Sequence, residues 1–225
     1  MPQEEMITPK QAGGAFADGL TLIRLLTTPV IMALIYFYWP ETKMAVLISV
    51  LFIIAALTDI FDDYFGGSSR SVNRKFGWVD DAADTTLVVG TLIALLVVIY
   101  QEGILAWPFA LPAGIIIIRE IVIGLTRGFE ISRLGWNDSK LGNAKSGLSM
   151  LAVCILVASP WLTQAIDKYR AGADNAMDVF NAASPWVWGT GQAVLWVAAL
   201  LSVISAINIL KTPRRVGVLS QGESE

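Results

Sequence analysis

Asp59, Asp62, Asp80 and Asp84 stand in two pairs, spaced i, i+3 and i, i+4. On helices, each pair projects from one face. Four carboxylates brought to a common point repel strongly unless divalent cations lie between them or protonation neutralises some of them. The chain has no histidine and a single cysteine, Cys154. Imidazole ligands, imidazole bases, thiolate clusters and internal disulfides are therefore ruled out, and any metal would sit on oxygen, the donor that suits Mg²⁺, Mn²⁺ or Ca²⁺. A cation held this way can stabilise charge on phosphate oxygens, and a positioned carboxylate can take the proton from an attacking hydroxyl. The plainer alternative is that these acids mark a membrane boundary, solvated or paired with Arg70, Arg74 or Lys75.

A second set is cationic. Arg119 interrupts the apolar stretch GIIIIREIVIGL, and an arginine there must face protein, water or an anion. Arg127, eight residues on, falls roughly on the same side, and Lys145 opens a later apolar run. Together they can form a pocket for a phosphate monoester. The competing reading for Arg119 is an ion pair with Glu120 or an aspartate, and for Lys145 an ordinary cytoplasmic anchor.

The elements that must position these residues follow from composition. Of 225 residues 55% are hydrophobic and 16% charged, with a mean hydropathy of +0.60, which suits an all-α integral membrane protein rather than a soluble domain. Six apolar runs are long enough to span a bilayer, near 18–39, 44–65, 79–100, 105–126, 146–166 and 186–210. The sequence thus predicts six transmembrane helices in one bundle and a single domain over 1–225, with tails at about 1–17 and 211–225. The opening MPQEEMITPKQAGGAF reads as a cytoplasmic tail and not a cleaved targeting segment. With the N-terminus inside, the inner segments hold twelve of the sixteen Lys and Arg, and the outer loops only Lys43, Lys168 and Arg170. Tyr36, Phe37, Tyr38, Trp39, Tyr100, Trp107, Trp161, Trp186 and Trp188 gather at the outer side as an interfacial belt. Both termini and the aspartate window are expected in the cytoplasm, with the second and third helices as antiparallel neighbours.

On these residues the chain resembles the CDP-alcohol phosphatidyltransferase family, whose signature is D-x₂-D-G-x₂-A-R-x₈-G-x₃-D-x₃-D. Asp59, Asp62, Asp80 and Asp84 occupy all four aspartate positions. The signature glycine is Asp63 here, its Ala-Arg pair is Gly66-Gly67, and its second glycine is Phe76. DGLTLIRLLTTPVI (18–31), IREIVIGLTR (118–127) and GNAKSG (142–147) are similar to segments of the family's bacterial branch that uses glycerol 3-phosphate as acceptor, with Asp18 where Asn is usual and Asn143 in place of a Lys.

The resemblance implies metal ligation by Asp59, Asp62, Asp80 and Asp84, with Asp84 as ligand or catalytic base and Mg²⁺ or Mn²⁺ as cofactor. It implies contacts to a CDP-diacylglycerol donor from Thr21, Arg24, Asp63, Gly66 and Arg70. It also implies contacts to a phosphorylated acceptor from Arg119, Arg127 and Lys145, and release of CMP. The implied setting is the inner membrane of a bacterium, as a homodimer with no nucleic-acid partner and with the site facing the cytoplasm. Three alternatives stay open at the level of sequence. The acceptor could be inositol phosphate, serine or another alcohol. Asp63, Gly67 and Asn143 would also suit a silent paralogue that binds nucleotide lipid without turnover. A cation carrier is disfavoured because the acids lie at one end of the helices rather than mid-membrane.

Overall fold

In the computed structural model the backbone is described for residues 9–66, 77–134, 140–171 and 186–211, and side-chain surroundings for 19–58, 82–125, 144–167 and 186–211. Six helices follow in order: α1 (Pro9–Tyr38), α2 (Thr42–Gly66), α3 (Gly77–Gln101), α4 (Trp107–Leu134), α5 (Lys140–Ala171) and α6 (Trp186–Lys211). Among the described residues, five of them contain stretches long and apolar enough to cross a membrane, and the described part of α2 is the apolar stretch Thr42–Thr58. The backbone of α2, 25 residues, is about 38 Å long at 1.5 Å per residue, enough to cross a bilayer.

Consecutive helices run in opposite directions. Side-chain ties at two levels fix the alternation: at one, Arg24 meets Thr58 and Asp84, Lys145 meets Glu120, and Arg119 meets Ser205; at the other, Tyr36 meets Gln101, Trp39 meets Val157, Ser49 meets Trp161, and Pro108 meets Trp196. The beginning of α1 and the end of α6 therefore lie at the same end of the bundle. Among the described residues, α1 packs against both α2 and α3, and α5 packs against α2, α3 and α6, while α4 bridges α3 and α6. Among the described residues α2 and α3 share α1 and α5 as neighbours; the turns by which the two helices were expected to meet, around Asp59–Asp63 and Asp80, lie outside the described side chains.

The core draws on every helix, with Ile31, Phe52, Leu92, Phe109, Leu156 and Leu195 almost completely buried. Leucine, isoleucine and valine side chains such as Leu26, Ile118, Leu125 and Leu200 point outward, as they do when the solvent is lipid. Close helix approach relies on small residues. A Cβ on Gly90 of α3 would come within 2.8 Å of Met32 Sδ on α1, and one on Gly191 of α6 within 2.9 Å of Leu156 Cγ and Cδ2 on α5. Pro160 inside α5 has no N–H for the Leu156 carbonyl; the Ser159 hydroxyl donates to that oxygen instead, at 2.8 Å.

Aromatic side chains gather at the opposite end. Tyr36, Phe37, Tyr38, Tyr100, Trp107 and Trp186 are exposed there as a belt would be. Trp39 is not part of that belt. It is buried, donates from Nε1 to the Val157 carbonyl at 3.2 Å, and stacks near Trp188, which also meets Phe109. Trp161 likewise turns inward, donating to Ser49 Oγ at 3.1 Å.

Candidate active site

Two polar clusters occupy the end of the bundle opposite the aromatics. The first joins α1, α2 and α3. Arg24 is fully buried, and its Nη1 forms an ion pair with Asp84 Oδ1. Its Nε donates to Thr58 Oγ1 at 3.3 Å, while the Thr58 hydroxyl donates to the Ala55 carbonyl at 2.6 Å. Thr21, one turn earlier on α1, is also buried. Thr58 directly precedes Asp59, so this cluster marks where the acidic turns of α2 begin.

The helices place the aspartates as their spacing requires. Asp59, Asp62 and Asp63 lie on the last turns of α2, and Asp80 and Asp84 on the first turns of α3. Asp84 is partly exposed at 20%, whereas the side chains of Asp59, Asp62, Asp63 and Asp80 lie outside the described residues, as do Arg70 altogether and the surroundings of Gly66 in the last turn of α2. Among the described residues no three carboxylates converge on a point. The ionisable donors on these turns are carboxylates, which fit a hard divalent cation. Arg24, expected among the donor contacts, has its guanidinium turned to Asp84 and Thr58.

The second cluster joins α4, α5 and α6. Glu120 accepts from Arg119 Nη1 at 2.8 Å through Oε2 and from Lys145 Nζ at 2.5 Å through Oε1, and Arg119 Nη2 donates to Ser205 Oγ at 3.1 Å. The fold therefore brings Arg119 and Lys145 together with Glu120 between them, as the ion-pair reading of Arg119 expects. The formal charge of this cluster is +1. Arg127 follows two turns along α4, its side chain outside the described residues. Arg119 Nε and Ser202 Oγ are buried and, among the described residues, make no hydrogen bond, so this cluster retains donor capacity.

Sequence reasoning missed Thr58 and Ser205 and gave Glu120 no role beyond a possible partner. The signals were slight: a threonine abutting Asp59, a glutamate abutting Arg119, and two serines, Ser202 and Ser205, one turn apart in an apolar helix.

An all-helical membrane bundle with a carboxylate-rich turn pair at one end defines the class. The profile of the CDP-alcohol phosphatidyltransferase family matches residues 15–204, and the chain belongs to that family: it is a membrane transferase of phospholipid biosynthesis. The family generally uses divalent metal ions. A protein of Cereibacter sphaeroides named CDP-diacylglycerol–glycerol-3-phosphate 3-phosphatidyltransferase is 28% identical over 204 residues, 83% of this chain and 89% of its own length. An Escherichia coli K12 protein of the same name is 28% identical over 199 residues, covering 87% of this chain and 92% of that one. One from Blochmanniella floridana is 35% identical over 108 residues, 48% of this chain and 53% of the relative.

Proposed function

We infer that this chain moves a phosphatidyl group from CDP-diacylglycerol to glycerol 3-phosphate and releases CMP. The observation that carries the reading is the Arg119–Glu120–Lys145 cluster at the same end of the bundle as the two aspartate turns. It supplies cationic donors for a phosphorylated acceptor, and the relatives' names point to the same alcohol.

In this reading Asp59, Asp62, Asp80 and Asp84 hold Mg²⁺ or Mn²⁺, which when bound offsets charge on the diphosphate. An acceptor hydroxyl oxygen forms a bond to the lipid-side phosphorus, the bond from that phosphorus to the bridging oxygen breaks, and CMP leaves with that oxygen. Asp84 takes the hydroxyl proton. Thr21, Asp63, Gly66 and Arg70 border the donor, and Arg127 joins Arg119 and Lys145 around the acceptor phosphate. The chain works as one unit of six spans, with both termini and the site on the cytoplasmic side of a bacterial inner membrane, and pairs as a homodimer.

The test is CMP release by the purified chain in detergent with CDP-diacylglycerol, Mg²⁺ or Mn²⁺ and a panel of alcohols. Glycerol 3-phosphate should support release at least about ten-fold faster than serine or inositol phosphate, about 1.4 kcal/mol of discrimination. EDTA should abolish it, and Asp59→Asn, Asp62→Asn or Asp80→Asn should weaken donor binding as well as turnover. Undiminished release after EDTA would remove the metal assignment, and a different preferred alcohol would reassign the acceptor.

A further inference from the structure

We propose that Arg24 is a positioning residue that serves the reaction by holding Asp84, and that it does not grip the nucleotide lipid. The proposal rests on the reading that Asp84 works in phosphatidyl transfer. Arg24 has no exposed side-chain surface, whereas Asp84 keeps 20% of its own. A cation buried between helices is tolerated only when it is paired and hydrogen-bonded, and among the described residues it meets two other helices: Asp84 on α3 through Nη1, and Thr58 on α2 through Nε.

The arrangement is stiff at each contact. The Thr58 hydroxyl is committed to the Ala55 carbonyl, so its oxygen is left to accept from Arg24. A planar guanidinium caught at both Nε and Nη1 cannot swing without giving up one partner, which fixes the Asp84 carboxylate on a rigid fork that a lysine ammonium cannot reproduce. Of the pair, the carboxylate and not the guanidinium keeps exposed side-chain surface. The location gives the contact its reach. Arg24 on α1, which among the described residues packs against both α2 and α3, is a polar link between the helix carrying Asp59 and Asp62 and the helix carrying Asp80 and Asp84.

The experiment compares Arg24→Lys, Arg24→Met, Asp84→Asn and the double variant Arg24→Met/Asp84→Asn, each as the full chain in detergent. CMP release gives kcat and the KM for CDP-diacylglycerol, and thermal unfolding without substrate gives a midpoint. Arg24→Lys should lower kcat ten-fold or more with the donor KM within about two-fold, the split expected when an interaction made in the transition state is lost. Arg24→Met should unfold about 5 °C or more below the parent, since it removes the buried cation paired with Asp84. The double variant removes both charges; it should regain most of that midpoint and turn over no more slowly than Asp84→Asn. A ten-fold rise in donor KM with kcat intact in Arg24→Lys would make Arg24 a donor contact and overturn the proposal. So would a double variant ten-fold slower than Asp84→Asn, or one that melts as low as Arg24→Met. Absence of CMP release from the unaltered chain would remove the phosphatidyl-transfer reading instead, a separable result because the unfolding midpoints are read without substrate.

Discussion

Glu120 is held between two cations from different helices, and this decides how the acceptor pocket should respond to substitution. Arg119→Ala removes the donors that meet Glu120 and Ser205. If the pocket receives the phosphate of the acceptor, the KM for glycerol 3-phosphate should rise about ten-fold or more, as for a lost hydrogen bond to a charged group worth ~1.5–3 kcal/mol, with the donor KM unchanged. Equal losses for both substrates would assign Arg119 to structure alone. Glu120→Gln tests the same cluster from the other side. Without the carboxylate, Arg119 and Lys145 repel across a small gap, so the variant should melt lower than the parent yet gain more thermal protection from added glycerol 3-phosphate. Equal protection of variant and parent would separate the cluster from phosphate binding.

At the scale of helices, small residues set how closely neighbours approach. Gly191→Ala places a methyl against Leu156 Cγ, a branch point near the backbone of α5 that yields little, whereas Gly90→Ala meets the sulfur of the more flexible Met32. Thermal unfolding should therefore show a larger loss for Gly191→Ala, about 1–3 kcal/mol, than for Gly90→Ala; the reverse order would place the tighter contact between α1 and α3. These contacts also explain what was legible in the sequence. The aspartate pairs, the helix runs and the segments carrying Arg24 and Arg119 are local patterns, and their spacing put them on helices correctly. Neighbour choice was not legible, because in a bilayer the faces toward lipid and toward protein are both apolar and hydrophobic periodicity cannot tell them apart. Ile31 and Val30 are adjacent and equally apolar, yet one is fully buried and the other half exposed. Hence the meeting of Arg24 with Asp84, sixty positions away, could not be foreseen.

For the molecule as a whole, alternation of helix direction collects both polar clusters at one end and the aromatics at the other, which makes its orientation in the membrane testable. With Cys154→Ser as background, a membrane-impermeant thiol reagent applied to intact spheroplasts should label Glu102→Cys, in the turn between α3 and α4, and leave Lys211→Cys unlabelled until the membrane is opened. The opposite pattern would turn the protein over. The Thr58 bond to Arg24 has a consequence of another kind. It couples the angular phase of α2 to α1 immediately before Asp59, and one residue added to a helix rotates everything beyond it by about 100°. An alanine inserted after Phe52 would leave α2 as apolar as before and still able to cross a bilayer, but would swing Thr58 and the aspartates after it away from α1. The span can thus change its letters far more freely than its length, and relatives that share this bond should keep the same number of residues between the turn at Glu41 and Asp59.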